Sequence, residues 1–372
     1  MKIVHITSTH HFDDVRIFIK QAVTMKSLGH ETHVIAINWK NGTQTAKLSH
    51  VEGVSIHLIE NKGYHTRLKR ASVGAFHVFL RSLFLRPDIV VIHDPELIPY
   101  LVFYRILKVS TIFDAHEDFI AQNSKKSWAN GWIRTPVMVI STILLFLAKV
   151  FSTHIFAATD GVAKKYPLKK TTVIYNYPKT GDIHAVSLAS LKMSKSFSYI
   201  GGLSKNRGIL QLLEAVSLNN GIDKLYLAGK FENAEFEDLC RSSSGWDKVV
   251  YSGYLNRSQI SELLSRCRGG IVTLLDTPNH RLSVPVKLLE YYEAGIPVIA
   301  SNFSEWNAYV IDDITGYLVT PESPSEISNA MDRILDNKNF MRLYNKVAAH
   351  KGAFNWRTQE LKIKDLLHSM EK

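Results

Sequence analysis

The sequence predicts an α/β protein with two doubly wound domains, each built on a parallel sheet. Three observations support this fold class. The chain has 372 residues, which is long for a single hydrophobic core and suits two α/β domains. Short apolar runs alternate with helical patterns in both halves, as in parallel sheets whose strands are joined by helices. A polar stretch without strong periodicity, residues 179–195, separates the two alternating regions and is typical of a linker.

The first half opens directly on a strand, because the apolar run after Met1 is too short for a signal peptide. An amphipathic helix is predicted over residues 14–28 and ends at Gly29. A basic loop and a further helix follow over residues 64–85. The strands of this half are predicted at residues 2–7, 33–38, 54–59, 88–93, 110–114 and 154–158.

Polar residues cluster where three of these strands end, at positions 8–16, 93–96 and 114–118. In doubly wound sheets, ligands bind at the carboxyl ends of the strands. The three clusters therefore predict a cleft at one edge of the first domain.

Residues 136–151 form the most apolar segment of the chain. Its 16 residues include Lys149 and are fewer than the roughly 20 that a membrane-spanning helix needs. A buried core helix is the favoured interpretation. The alternative is a helix that lies on a membrane surface, which Trp128, Trp132 and the basic residues around them favour.

The second half repeats the alternation of strands and helices. Its strands are predicted at residues 197–200, 224–228, 249–251, 270–274, 296–300 and 316–319, and its helices at 209–217, 234–240, 258–265 and 286–292. An amphipathic helix at 358–370 closes the chain. The expected organisation is a first domain at 1–180, a linker at 181–195, a second domain at 196–352 and a C-terminal helix at 353–372 that crosses back to the first domain.

Charge is distributed unevenly along the chain, whose formal net charge is +11. Residues 1–186 hold 23 Lys and Arg against 13 Asp and Glu, whereas residues 187–372 hold 22 against 21. A basic first half indicates an anionic partner, either lipid head groups or nucleic acid. The two cysteines exclude a disulfide framework and a Cys-rich metal site, and both are expected in the core of a protein from a reducing compartment.

Residues 201–208 (GGLSKNRG) follow a predicted strand and open a helix. Glycines let a ligand approach the backbone closely, and Arg207 adds positive charge beside the free N–H groups of a helix N-terminus. The segment is neither a Walker A loop nor a dinucleotide-binding fingerprint.

Residues 283–300 predict a helix followed by a buried strand, with Pro285 in the first turn and Gly295 at the end of the helix. Lys287 lies beside the helix N-terminus, and Glu290 follows one turn later on the same face. Together with residues 201–208, this segment gives two helix N-termini that carry cations. Two such sites suit a diphosphate.

These motifs together resemble the retaining glycosyltransferases called family 4 or group 1. That family has the GT-B fold, in which two Rossmann-like doubly wound domains face each other across a cleft. Segments 13–18 (DDVRIF), 93–97 (HDPEL) and 114–117 (DAHE) resemble a bacterial surface-glycan branch of it. Segments 201–208 and 285–298 resemble its donor-binding half, so the resemblance covers essentially the whole chain.

The resemblance implies that the first domain binds the acceptor and the second binds the nucleotide sugar. Glu290 would hold the donor ribose and Arg207 the diphosphate, while His116 would reach the transferred sugar and polarise it or donate a hydrogen bond. The implied catalytic residues are His116, Arg207 and Lys287. The implied donor-binding residues are Gly202, Arg207, Gly229, Lys230, Tyr254, Leu255, Lys287, Leu288, Leu289 and Glu290. The candidates for acceptor binding or for taking the acceptor proton are Asp13, Arg16, Asp94, Glu96 and Glu117.

The sequence departs from the family pattern at two positions. Leu282 stands where the family has the first of two glutamates, and this leaves the identity of the sugar open. Gly202 stands where the family has an arginine, and Lys287 is expected to replace that cation.

The expected function is transfer of a sugar from a UDP- or GDP-sugar to a hydroxyl of a glycan or lipid-linked acceptor in cell-surface polysaccharide synthesis. Arg207 and Lys287 would take the role of a metal ion, and no cofactor is expected beyond the nucleotide sugar. The expected location is the cytoplasm, with peripheral contact to an anionic membrane. A non-catalytic partner subunit of the same fold is the alternative. Nucleic-acid binding has no motif to support it.

Overall fold

The structure, a computed structural model, describes residues 1–39, 50–61, 63–64, 66–116, 134–179, 181, 183–282 and 284–371. It divides into two compact units. The first comprises Met1–Asn176 and Gln359–Lys372, and the second comprises Tyr177–Thr358.

The first unit is built on an eight-stranded sheet in the order β3-β4-β2-β1-β5-β6-β7-β8. Neighbouring strands are parallel, except that β3 is antiparallel to β4. The strand order reverses between β1 and β5, and both strands are almost continuously buried, as the centre of a doubly wound sheet requires. The strands are β1 (Lys2–Thr7), β2 (Glu31–Ile37), β3 (His50–Val51), β4 (Val54–Ile59), β5 (Ile89–Ile92), β6 (Ser110–Ala115), β7 (His154–Ala157) and β8 (Thr171–Val173).

Helices cover this sheet, and the first of them begins at a side-chain cap. The Asp14 carboxylate accepts hydrogen bonds from the backbone N–H groups of Arg16 and Ile17, which a helix N-terminus leaves without intrahelical partners. The helices are α1 (π-helical turns at Val15–Ala22, continued by Val23–Ser27), α2 (Arg67–Lys69, Arg70–Gly74 and Ala75–Phe84 in one run), α3 (Leu101–Ile106), α4 (Arg134–Phe151) and α5 (Asp160–Ala163).

Helix α4 contains the apolar segment 136–151, and the interpretation of that segment as a buried core helix is wrong for one of its faces. Leu144, Leu147 and Phe151 pack against the core of the first unit. Next to them on the surface of the helix, a stripe of five apolar side chains is more than half exposed. These residues, named here the α4 stripe, are Val139, Ile140, Ile143, Phe146 and Val150.

The second unit is built on a six-stranded sheet of parallel strands in the order β11-β10-β9-β12-β13-β14. The order reverses between β9 and β12, so a ligand site is expected beyond the carboxyl end of β9, where the segment Gly201–Gly208 begins. The strands are β9 (Phe197–Ile200), β10 (Leu225–Ala228), β11 (Val249–Gly253), β12 (Gly269–Val272), β13 (Val298–Ser301) and β14 (Gly316–Val319).

The predicted linker segment, residues 181–195, lies within the second unit and contains helix α6, whose Leu191 is buried. Cys240 and Cys267 are free and buried, as expected. Among the helices that the structure describes, none is both long and apolar enough to span a bilayer. The remaining helices are α6 (Leu188–Met193), α7 (Ile209–Leu218), α8 (Ala234–Arg241), α9 (Arg257–Leu264), α10 (Pro278–Leu282), α11 (Val286–Ala294), α12 (Pro324–Leu335), α13 (Asn337–His350) and α14 (Trp356–Met370).

Candidate functional site

In the second unit, two strand-end loops meet backbone to backbone beside β9. Gly201 follows β9 with φ +118°, and Gly229 follows β10 with φ +155°. A Cβ atom on Gly229 would lie 1.8 Å from the carbonyl oxygen of Gly201, so no other residue fits at position 229. The absence of side chains here leaves the backbone at the end of β9 open to close approach by a ligand.

The side chains of Arg207 and Lys287 converge over this backbone. A Cβ atom on Gly201 would lie 3.4 Å from Arg207 Nη1 and 3.8 Å from Lys287 Nζ. A Cβ atom on Gly202 would lie 3.7 Å from Arg207 Cζ. The guanidinium of Arg207 therefore lies in van der Waals contact with the position that a Cβ atom at 202 would take, and Lys287 stands next to it.

Lys287 is the second residue of α11 and is 7% exposed. Its Nζ is buried and has no hydrogen-bond partner among the described residues. It lies 3.5 Å from the centroid of the Tyr199 ring, a contact that favours the ammonium form. Burial and the neighbouring Arg207 outweigh this contact, and they lower the pKa of Lys287 well below 10.5 even though Glu290 raises it. A buried amine without a partner is costly, and an anion bound beside it would remove that cost.

The hydroxyl groups of two buried tyrosines, Tyr199 and Tyr291, form hydrogen bonds with the backbone at the end of β9. The Tyr199 hydroxyl donates to the Gly202 carbonyl at 3.2 Å, and burial raises the pKa of Tyr199 to about 12, so the hydroxyl stays neutral. The Tyr291 hydroxyl donates to the Ser198 carbonyl at 3.0 Å and accepts from the Ile200 N–H at 3.1 Å. Helix α11, which carries Lys287, is thereby tied to the strand that carries Gly201 and Gly202.

Glu290 forms an ion pair with Arg257, a residue that the sequence analysis missed. Arg257 is the first residue of α9, and Asn256 and Gln259 form a reciprocal cap there. The position of Arg257 just after the predicted pocket loop 253–255 was the only sequence signal for it. In this arrangement the Glu290 carboxylate is buried and already bound to a cation.

The other predicted donor residues lie close to these loops. The Gly229 N–H donates to the Gly253 carbonyl at 2.7 Å, which brings the loops after β10 and β11 together. Lys230 Nζ lies 5.7 Å from the ring centroid of Tyr254, an exposed residue, and Leu255 is half-buried. Leu288 and Leu289 are buried in α11 and act in its packing.

In the first unit, Asp94 organises the loop that follows β1. Its carboxylate accepts from the Thr7 hydroxyl at 2.7 Å, from the Ser8 N–H at 2.6 Å and from His10 Nδ1 at 2.9 Å. Burial alone would raise the pKa of Asp94, but the hydrogen bonds from His10, Thr7 and Ser8 hold it well below its usual range. All of these donors belong to the protein, so Asp94 is structural in this arrangement.

The remaining acceptor candidates are placed differently from one another. Glu96 Oε1 accepts from the Ser8 hydroxyl at 3.1 Å and from Arg70 Nε at 2.9 Å. Asp13 is exposed and contacts His11. Glu117 lies outside the described residues.

Asp114 is a fully buried carboxylate on which residues from three elements converge. Arg16 and Gln21 of α1 donate to it, Arg16 Nη2 at 2.7 Å and Gln21 Nε2 at 2.6 Å. His93 Nδ1, which follows β5, lies 3.1 Å away, and His116 Nδ1, which follows β6, lies 3.4 Å away. Burial alone would raise the pKa of Asp114, but Arg16 and the two histidines hold it well below its usual value. Arg16, which is predicted to bind the acceptor, is the buried partner of Asp114 in this structure.

The side chains of His93, Asp114 and His116 have ligand atoms within 4.8 Å of one another, a spacing that suits a metal ion. Arg16 already supplies a full positive charge to this carboxylate through a two-nitrogen contact. A metal ion would have to displace that guanidinium or stand beside it, and either arrangement is unfavourable. The cluster therefore fits a hydrogen-bonded network better than it fits a metal centre.

Comparison with known proteins supports a fold and a domain family. Residues 182–351 match the family model described as glycosyl transferases group 1. No curated protein is significantly similar in sequence to this chain.

Solved structures match the chain over nearly its full length. Anabaena Alr3699/HepE in complex with UDP and glucose has a TM-score of 0.76 at 14% identity, with 99% of this chain and 100% of that chain covered. Sucrose-phosphate synthase from Thermosynechococcus elongatus has a TM-score of 0.75 at 15% identity, with 99% and 98% covered. The lipopolysaccharide outer core galactosyltransferase WaaB has a TM-score of 0.65 at 15% identity, with 99% of each chain covered. Residues 182–351 are therefore similar to a glycosyl transferases group 1 domain, in a chain that has the two-domain GT-B fold.

Proposed function

We propose that the protein is a retaining glycosyltransferase that moves a sugar from a UDP- or GDP-sugar to a hydroxyl of a glycan or lipid-linked acceptor in cell-surface polysaccharide synthesis. The observation that carries the proposal is the pair formed by Arg207 and Lys287. Two cationic side chains lie side by side over a glycine backbone, and the Nζ of one is buried without a partner among the described residues. A nucleotide diphosphate supplies the two anionic groups that such a pair needs.

The chemistry follows from where negative charge develops. The donor C1–O bond breaks and its electron pair leaves with the diphosphate. The acceptor oxygen bonds to C1 on the face that the leaving group occupied, and the acceptor proton passes to a phosphate oxygen. Arg207, Lys287 and the N-terminus of α11 would stabilise the charge on the departing diphosphate. These groups supply the electrostatic stabilisation for which other transferases use a metal ion.

The relatives guide the choice of substrates, as analogy only. The Anabaena structure contains UDP and glucose, which favours UDP-sugars as the first donors to test. The likeness to a lipopolysaccharide outer core galactosyltransferase supports an acceptor of the surface-glycan class.

The test is a thermal-shift screen with UDP- and GDP-sugars, followed by an assay for donor turnover with the ligand that stabilises most. Arg207→Ala is expected to lower the rate by about 10²-fold or more, because it removes a group that stabilises the transition state. Arg241→Ala removes an exposed arginine of α8 in the same unit and is expected to leave the rate unchanged. Near-normal turnover by Arg207→Ala would refute the proposed chemistry. Tight binding with no turnover by the wild type would favour the partner-subunit alternative.

We also propose that the first unit docks on the cytoplasmic face of an anionic membrane through the α4 stripe. The five stripe residues recur at helical spacing on one face, and each is more than half exposed. Helix α3 packs beside α4 and adds Phe103 and Ile106, which are 52% and 70% exposed.

Cations border this apolar surface. Arg105 and Lys108 are exposed at the end of α3 and beyond it. Lys170 Nζ lies 3.4 Å from the carbonyl oxygen of Val150, at the end of the stripe. An apolar face with a cationic border is complementary to the surface of an anionic bilayer.

Vesicle co-sedimentation tests the docking proposal. The protein is expected to bind vesicles that contain anionic lipid, and Ile143→Glu with Phe146→Glu is expected to abolish binding while donor-induced stabilisation persists. Leu218→Glu is the matched control, because Leu218 is similarly exposed but belongs to the second unit. Equal binding by the stripe variant and the wild type would refute this surface.

A further inference from the structure

The Asp114 network fixes the direction of its own hydrogen bonds. A carboxylate held ionised by Arg16 can only accept, so His93 Nδ1, 3.1 Å away, must carry the proton of that hydrogen bond. A neutral His93 then offers a lone pair at Nε2, which lies 3.0 Å from His5 Nδ1. His93 therefore donates to Asp114, and with a neutral His93 ring His5 donates to His93.

His116 is held by the same two residues. Its Nδ1 lies 3.4 Å from Asp114 Oδ2, so the proton of a neutral ring is stabilised on Nδ1. Its ring stacks on His93, with centroids 5.5 Å apart and an interplanar angle of 24°. Asp114 thus sets the position of the proton, and His93 sets the plane of the ring.

The second ring nitrogen of His116 makes no hydrogen bond with the part of the chain that the structure describes. Nε2 is buried and has no hydrogen-bond partner among the described residues. His10 is a further neighbour, with its ring centroid 5.4 Å away. Burial, Arg16, His93 and His10 together outweigh Asp114 and lower the pKa of His116 to about 4, so the ring is neutral near pH 7.

We propose that Asp114 and His93 are positioning residues. Asp114 holds His116 as its Nδ1–H tautomer and His93 holds the plane of its ring, so that Nε2 presents a lone pair to a hydroxyl of the substrate. The contact with substrate rests on the proposed transferase function, whereas the tautomer does not. A lone pair at Nε2 accepts a hydrogen bond from a hydroxyl and repels an anionic oxygen. His116 is thus an acceptor toward the sugar or the acceptor hydroxyl, which differs from the hydrogen-bond donor considered in the sequence analysis.

Protonation of His116 can be read directly by long-range ¹H–¹⁵N NMR of protein labelled at its histidine side chains. The two neutral tautomers and the imidazolium give different patterns of ring-nitrogen shifts, and His116→Gln identifies the signals of His116. Free histidine in water favours the Nε2–H form. An Nδ1–H pattern near pH 7 in the wild type would therefore support the proposal, and an Nε2–H or imidazolium pattern would overturn it.

Variants of Asp114 and His93 test the two positioning residues separately, because each variant changes the contribution of one residue to the network. Asp114→Asn can turn an amide N–H toward His116 Nδ1, and it is expected to shift the population toward the Nε2–H tautomer. His93→Phe keeps a flat ring to stack on but donates nothing to Asp114, so it is expected to preserve the His116 tautomer. An unchanged His116 pattern in folded Asp114→Asn would overturn the role of Asp114. If Asp114→Asn does not fold, an Nδ1–H pattern of His116 in both the wild type and His93→Phe supports the proposal. An Nε2–H or imidazolium pattern in the wild type overturns it.

The kinetic readout separates positioning from the transferase proposal itself. If the protein turns over a donor, Asp114→Asn is expected to lower kcat, with a smaller effect on thermal stabilisation by UDP. The donor diphosphate is assigned to the second unit, and Asp114 belongs to the first. Wild-type protein with the Nδ1–H tautomer but with no turnover would leave the network established and refute only the transferase function. Normal kcat in folded Asp114→Asn would refute a role for the tautomer in the reaction.

Discussion

The candidate sites of the two units handle charge in opposite ways. In the first unit, the buried carboxylate of Asp114 is surrounded by donors and has the guanidinium of Arg16 as its counterion. In the second unit, Arg207 and Lys287 lie side by side, and the buried Nζ of Lys287 has no hydrogen-bond partner among the described residues. One site is electrostatically satisfied by the protein, whereas the described residues supply no hydrogen-bond acceptor to the buried amine of the other.

This difference indicates different tasks. A satisfied network is rigid, and its value lies in the fixed orientation of the groups at its edge, here His116. A buried amine without a hydrogen-bond partner, here Lys287 beside Arg207, keeps binding energy for a ligand and lowers the stability of the free protein. Removal of Asp114 should therefore lower the stability of the free protein and removal of the Lys287 amine should raise it. The following predictions test this contrast and the backbone of the second site.

The largest change in the free energy of unfolding is expected for a substitution of Asp114 in the first unit. Asp114→Ala leaves Arg16 buried without its counterion and should lower the free energy of unfolding by about 3–5 kcal/mol. Urea denaturation measures the change. The control is Asp276→Ala, which breaks a solvent-exposed pair with Arg281 and should have little effect on stability. Similar losses for the two variants would show that the Asp114 network is not a satisfied core.

A steric substitution tests the backbone of the second site. Gly229→Ala places a methyl group against the Gly201 carbonyl, and we expect a loss of about 2–4 kcal/mol in stability together with loss of the thermal shift induced by UDP. Gly29→Ala is the control, because Gly29 also has a positive φ, +92°, but has no atom within 4 Å of the added Cβ. It should cost only the backbone strain of about 1–2 kcal/mol and leave the response to UDP intact.

Most of the fold could be predicted from the sequence because the alternation of apolar runs and helical patterns is a local signal. The predicted strand bounds 2–7, 54–59, 197–200 and 316–319 are those of β1, β4, β9 and β14. Strands β3 and β8 were missed, since two or three residues are too few to show a period. Helices α12 and α13 were also missed, although Ser323 and Asp336 cap their N-termini.

The site was predictable where a motif is contiguous and less so where partners are distant in sequence. Residues 201–208 and Lys287 were identified from glycines, cations and helix starts. The partner of Glu290 is Arg257, 33 positions away, and no local pattern joins them. In the same way, Arg16 looked like a ligand residue because Asp114, 98 positions later, gives no sign in sequence that the two form a buried pair.

A substitution of Lys287 in the second unit is expected to increase the stability of the free protein. Lys287→Met removes a buried amine and fills the same space with a flexible apolar side chain, so the free protein should gain about 1 kcal/mol. Its melting temperature should rise by a few degrees, while stabilisation by UDP should be lost. Lys230→Met is the control, since Lys230 is exposed beside Tyr254 and should give no such gain. A lower melting temperature for Lys287→Met would show that the ammonium is already satisfied in the free protein.

The smallest effect expected is a link between proton binding and anion binding at Lys287. Because the pKa of Lys287 in the free protein lies well below 10.5, the unfolded chain holds a proton that the folded protein lacks over the pH range between these two values. This group therefore makes the free protein more stable as pH rises through that range. A bound diphosphate raises the pKa of Lys287, so binding takes up a proton and the affinity for UDP falls as pH rises, by up to about tenfold per pH unit.

Calorimetry of UDP binding in two buffers with different ionisation enthalpies measures this uptake directly. It is best done above about pH 7.5, where the phosphate groups of UDP are themselves fully ionised, so that the lysine accounts for the protons counted. Lys287→Arg stays charged at every accessible pH, and its binding should take up no proton and should vary little with pH. If the wild type also took up none, Lys287 would already be an ammonium in the free protein, and the contrast between the two units would lie in hydrogen bonding alone.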